Sequence, residues 1–82
     1  MKEDALNPEW SETGHYHRMD FVDLGQQDCV LEEDLDGDHV HFGVLIDCHG
    51  RHVKDGLMLL NRDMAKELAP MLKHFAKTGS IK

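Results

Sequence analysis

The sequence predicts a small α+β domain: an antiparallel sheet of about four strands with one C-terminal amphipathic helix packed on one of its faces. Three observations point there. Apolar residues at Met64, Leu68, Met71, Leu72 and Phe75 recur at the spacing of one helical face. Val40, Phe42, Val44 and Ile46 alternate with His39, His41, Gly43 and Leu45, the two-residue period of a strand. Short segments of glycine and acidic turn residues separate the strand-like runs, a length that suits hairpins rather than crossovers. At 82 residues, one helix-on-sheet core is all the chain can build.

Residues 1–14, with Pro8 and Gly14 among charged residues, predict a flexible acidic N-terminal arm. Trp10 can pin this arm to the domain or to a partner. The single domain then spans 15–82. Tyr16 to Leu24 forms the first strand, with Met19 and Phe21 on one face and Arg18, Asp20 and Val22 on the other. Gly25-Gln26-Gln27 is a connection short enough for a hairpin, and Asp28 to Glu33 returns with Cys29 and Leu31 inward. Glu33 to Asp38 is a polar acidic loop, followed by the alternating strand at Val40. Cys48 to Gly56 reads as a connecting loop, and Leu57 to Leu60 as a short strand that runs directly into the helix. Asn61 can cap the first helical turn, and Gly79 can close the last in a left-handed conformation. Pro70 removes one amide inside the pattern, so a bend or break is expected there. One kinked helix is preferred over two short ones because the apolar spacing continues past the proline.

Charge is unevenly distributed. Residues 1–38 carry twelve Asp or Glu against Lys2 and Arg18, a net of −10, whereas residues 39–82 carry four acids against seven bases, a net of +3. The first half would repel phosphates, which argues against direct nucleic-acid binding and favours a basic partner. The ordinary alternative is that the acids simply keep a small domain soluble. No apolar run approaches the ~18–20 residues that cross a bilayer. The first ten residues are not a secretion signal, and two cysteines do not make a disulfide framework. A cytoplasmic protein with reduced thiols is the expectation.

Seven histidines are many, and six come in pairs: His15/His17, His39/His41 and His49/His52. An i, i+2 pair on a strand projects both imidazoles from one face, which suits a zinc ion. Cys48, His49 and His52 add a thiol and two imidazoles within one loop. The candidate zinc ligands are therefore His39, His41, Cys48, His49 and His52. The spacing matches no zinc signature, however, and solvent-facing histidines are the preferred reading, with no cofactor. Asp34, Asp36 and Asp38 do not make a calcium loop: Gly37 falls too early, and position twelve is Leu45 rather than Glu. Cys48 beside His49 and His52 is the one nucleophile–base combination in view, and neighbouring loop residues rarely form a working dyad. With no phosphate-cradling glycine loop either, a non-enzyme is expected.

The acidic run is the strongest functional candidate. Carboxylates along a strand and its loop are spaced at about 3.2–3.4 Å, close to the ~3.4 Å of phosphates along one DNA strand. Glu32, Glu33, Asp34, Asp36 and Asp38, with Asp23, Asp28 and Trp10 beside them, are the expected partner-binding residues. They would imitate a nucleic-acid backbone toward a basic groove.

From Asp20 onward the chain resembles a group of short phage and prophage proteins. The matching phrases are Asp20-Phe21-Val22-Asp23-Leu24, Gly25, Asp28-Cys29-Val30-Leu31 and Phe42-Gly43-Val44. The most specific is the close, of the form L-N-R-[ED]…L-x-P-x-L-x-x-F-x-x-T-G-x-I, met here by Leu60-Asn61-Arg62-Asp63, Leu68, Pro70, Leu72, Phe75, Thr78-Gly79 and Ile81. The likeness covers about three quarters of the chain. It transfers no catalytic residue, and residues 48–56 fall where relatives vary in length. Neither His15/His17 nor His39/His41 belongs to the pattern. The resemblance implies a phage-encoded protein that binds and inhibits a host defence protein, a CRISPR effector complex among the candidate targets. Two alternatives from other classes stand beside it: a small histidine-rich metal-binding module, and a homodimeric interaction or assembly protein.

Overall fold

A computed structural model describes residues 6–12, 16–53 and 56–82. Their order is β1 (Glu9–Glu12), β2 (His17–Val22), β3 (Asp28–Glu33), β4 (His39–Val44), β5 (Ile46–Cys48), β6 (Arg51–Val53), β7 (Leu57–Asn61) and α1 (Arg62–Thr78). Five strands form one antiparallel sheet in the order β1-β2-β3-β4-β7, and β5 and β6 form a separate two-stranded ribbon. The α+β class and the single C-terminal helix follow the sequence pattern. Pro70 lies within an unbroken helix, so the two-helix alternative falls away. No helix among the described residues is long and apolar enough to cross a membrane.

Three strand features differ from the sequence expectation. The alternating run read as one strand through Ile46 ends at Val44, and Ile46 opens the ribbon instead. The segment read as an arm contributes β1, which zips onto β2 with Trp10 opposite Met19 and Glu12 opposite His17. An edge strand needs hydrogen bonds from one neighbour only, so four residues with little apolar content suffice. The segment read as a loop after Cys48 folds as the ribbon, with Cys48 opposite Arg51. His49 and Gly50 make its two-residue turn, both at positive φ (52° and 77°), as the twist of a tight hairpin requires.

Registers place direct cross-strand neighbours on the same face. Trp10, Met19, Leu31, Phe42 and Met58 form one row, flanked by Phe21, Cys29 and Val44 and by Glu33, Val40 and Leu60. This face is apolar. The opposite face carries Arg18 beside Glu32 beside His41, and Asp20 beside Val30 beside Gly43. Burial reverses part of the expectation. Val30 is fully buried and Glu32 is 4% exposed, both on the polar face, whereas Leu31 on the apolar face is only half-buried. Gly43 (φ 148°) lets the chain close tightly at this point, because a Cβ there would stand 2.8 Å from the Gly56 carbonyl oxygen.

The helix departs most from prediction. It contains no buried residue, and Leu72 and Phe75 are 53% and 54% exposed. It touches the end of β7 and leaves the apolar face of the sheet open. The reason is local. Asn61 is still paired with His39 as a strand residue while its side chain already accepts from the Met64 amide at 2.8 Å. With no residue between β7 and α1, the chain cannot reverse over its own sheet, which takes a connection of roughly 2–6 residues.

Candidate functional site

The β3–β4 turn is built by its own carboxylates. The Gly37 amide donates to the Asp34 carbonyl at 3.1 Å, and the Asp34 amide to the His39 carbonyl at 2.9 Å. Side-chain oxygens of Asp34 and Asp36 accept from the amides of Leu35 (2.7 Å) and Asp38 (2.9 Å). Aspartates favour such turns because a short carboxylate reaches backbone amides one or two residues on. The Asp36 carboxylate also lies 2.6 Å from His39 Nδ1. The Asp38 amide and His39 together hold Asp36 below its ordinary carboxylate range.

The same end of the sheet gathers two more acids. Glu33 Oε1 accepts from the His17 amide at 2.7 Å and lies 3.0 Å from His17 Nδ1. Glu12, brought in by β1, lies 3.6 Å from His17 Nε2. The His17 amide, and then its ring, keep Glu33 below its usual value, and the Glu33 carboxylate raises His17 in return. Arg62, from the first helical turn, donates to the Gly37 carbonyl at 3.2 Å and stands 3.6 Å from Asp38. Glu12, Glu33, Asp34, Asp36 and Asp38 thus form one exposed acidic end. Between it and the helix runs a groove of about 290 Å³ lined by Glu33, Leu35, Val40, Leu60 and Ala65.

The eight residues expected to bind a partner do not all meet. Glu33, Asp34, Asp36 and Asp38 gather at this end. Asp23 and Asp28 sit at the far end of β3, about 16 Å away at ~3.3 Å per residue. Asp23 is occupied there in accepting from the Gln27 amide at 2.8 Å. Glu32 points to the other face, buried, with its Oε2 3.6 Å from Arg18 Nη1. Arg18 also donates to Asp20, from Nη2 at 2.9 Å and from Nε at 3.1 Å. Trp10 is exposed on the apolar face of the edge strand. Sequence reasoning missed Glu12 and gave His17 only as half of a histidine pair; the pairing of β1 with β2 brings in the first, and that of β2 with β3 sets the second against Glu33.

Among the described residues, no three His, Cys, Asp or Glu come together to hold a metal ion. His39 is engaged with Asp36, and His41 has its Nδ1 buried without a hydrogen-bond partner among the described residues. His49 occupies the left-handed turn of the ribbon. His15 and the side chains of Cys48 and His52 lie outside the described residues. Cys29 is buried and donates to the Gln27 carbonyl at 3.4 Å. Burial pushes its thiol up, opposite to the direction an activated nucleophile needs. Comparison with protein-family models, with curated proteins and with solved structures gives no significant match.

Proposed function

We propose that this chain is a non-catalytic binding protein that presents its acidic end to the basic surface of a host protein, as a phage-encoded inhibitor would. The target class is a nucleic-acid-binding groove, such as that of a CRISPR effector complex. The gathering of Glu12, Glu33, Asp34, Asp36 and Asp38 at one end of the sheet carries this reading. Two of these acids, Glu33 and Asp36, are held ionised by neighbouring amides and imidazoles. A ready-made cluster of carboxylates steers a basic partner and sets its orientation. Glu32 is no part of this surface.

The test uses isosteric neutralisation, because Asp34 and Asp36 also build the turn. E12Q, E33Q, D34N, D36N and D38N together remove charge while leaving one acceptor oxygen on each side chain, enough for the amides of His17, Leu35 and Asp38. The variant should compete at least about tenfold less well than the parent with target DNA for a CRISPR effector in band-shift assays, and the parent's competition should weaken steeply with salt. A variant with unchanged melting that competes as well as the parent rules out this surface. A parent that never competes rules out the target class.

A further inference from the structure

We propose that a second copy of this chain covers the open apolar face of the sheet, with helix α1 of each protomer laid across the sheet of the other about a two-fold axis. Four observations on the molecule lead there. The first is area. A folded monomer of 9.4 kDa shows roughly 5000 Å² of surface, whereas this chain shows 6904 Å². The excess of roughly 1900 Å² per chain, doubled, falls within the ~2000–5000 Å² that obligate homodimers bury. The radius of gyration, 14.0 Å, likewise exceeds the ~11.7 Å of a compact chain of this length.

The second is that two apolar surfaces lack a cover. The sheet offers the row Trp10, Met19, Leu31, Phe42 and Met58. The helix offers Met64, Leu68, Met71, Leu72 and Phe75. Each needs a surface of the other's kind. At 17 residues the helix is about 25 Å long, enough to cross five strands that span about 19 Å. The groove lined by Leu60 and Ala65 is the inner corner where the two surfaces meet.

The third is the junction. Because β7 passes into α1 without an intervening residue, the helix projects away from its own sheet and is held there by the Asn61 cap. A connection too short to reverse is what turns an intramolecular packing into an exchange between copies. The fourth is charge. Residues 62–82 carry five bases against Asp63 and Glu67, a net of +3, which leaves −10 on residues 1–61. A basic helix on an acidic partner's sheet is attractive, whereas sheet against sheet would be repulsive. The pairing is isologous, so both copies gain the same cover.

The experiment uses the full chain. Light scattering should give twice 9.4 kDa down to low micromolar concentration. A mixed sample of labelled and unlabelled protein should show intermolecular NOEs from Leu72 and Phe75 to Leu31 and Phe42. F75E puts a charge into the apolar stripe that the fold itself relies on, so a second variant, with about four residues of Gly and Ser inserted after Asn61, keeps the test decisive. That variant should let the helix fold back, giving a stable monomer with the same NOEs now intramolecular. A monomeric parent, or a dimer whose intermolecular NOEs join helix only to helix or sheet only to sheet, overturns the proposal.

Discussion

The pair Arg18–Glu32 offers the sharpest test of how the polar face is held together. Replacing Arg18 by Met removes two interactions of different worth. The contact with Asp20 is direct, but Asp20 is 37% exposed, and a pair so close to water contributes only about 0–1 kcal/mol. The contact with Glu32 matters more, because that side chain is 5% exposed. Stripping the cation from a fully buried pair costs about 3–5 kcal/mol. Here the separation is 3.6 Å and Arg18 keeps 31% of its surface, so roughly half of that range, about 1.5–2.5 kcal/mol, is the expected share. R18M should then lose about 2–3 kcal/mol in all, on the order of 8–24 °C in Tm for a domain of this size. Urea unfolding followed by circular dichroism, at one fixed protein concentration, reads this directly. In the double variant R18M/E32M the buried carboxylate is gone as well, so at least half of the loss should return. A cost below about 0.5 kcal/mol for R18M, or a double variant as unstable as the sum of the singles, would show that the burial of Glu32 does not depend on Arg18.

Two further outcomes are expected. G43A would drive a Cβ to 2.8 Å from the Gly56 oxygen and 3.3 Å from the Leu57 Cα, at φ 148°. It should cost more than about 2 kcal/mol in urea unfolding, while G37A, with nothing within 4 Å, should cost only the left-handed penalty of about 1–2 kcal/mol. Equal losses would mean that crowding at Gly43 is relieved cheaply. The second concerns His17, held above its usual 6.5 by the Glu33 carboxylate, and Glu33, held below its usual 4.5 chiefly by the His17 amide. A raised histidine stabilises fully below 6.5 and loses that contribution as pH rises through its folded value. A lowered glutamate stabilises above 4.5 and loses it as pH falls. The pair is therefore strongest between those two values. An NMR titration of the His17 ring should show a midpoint above 6.5 that drops back toward it in E33Q, and an unshifted parent midpoint refutes the pairing.

Much of the fold was legible in the sequence, and the reasons differ by element. The helix is marked at both ends, by Asn61 accepting from Met64 and by Gly79 at φ 80° with its amide on the Phe75 carbonyl. Strands β2, β3 and β4 show their period plainly. Strand β1 does not, because four residues with one apolar side chain are too short to display any period, and only β2 opposite, from His17 to Asp20, gives it partners. The ribbon stayed hidden because His49 takes a positive φ more usual for asparagine or glycine. The acidic run contained its own correction. Neighbours on a strand point to opposite faces, so Glu32 and Glu33 could never share one surface once β3 was placed. What the period could not supply was Glu12, which depends on a pairing twenty residues of chain away from the acidic turn.

The helix shows a different limit. An amphipathic stripe specifies that a surface must leave water, and nothing in its period says whose surface it will meet. That information lies in the connection. Asn61 pairs with His39, bonds to Met64 and belongs to strand and helix at once, so the junction itself sets the direction of α1. Hydrophobic burial acts without preferred direction, and it favours whichever copy presents the cover. In the dimer proposed above, adding a few residues after Asn61 would change no apolar side chain and still change the molecule that buries them. Among the described residues Cys29 and Val30 are the only buried apolar ones, so in the dimer proposed above the partner's helix would supply the core that one protomer lacks, and folding and association would become one equilibrium.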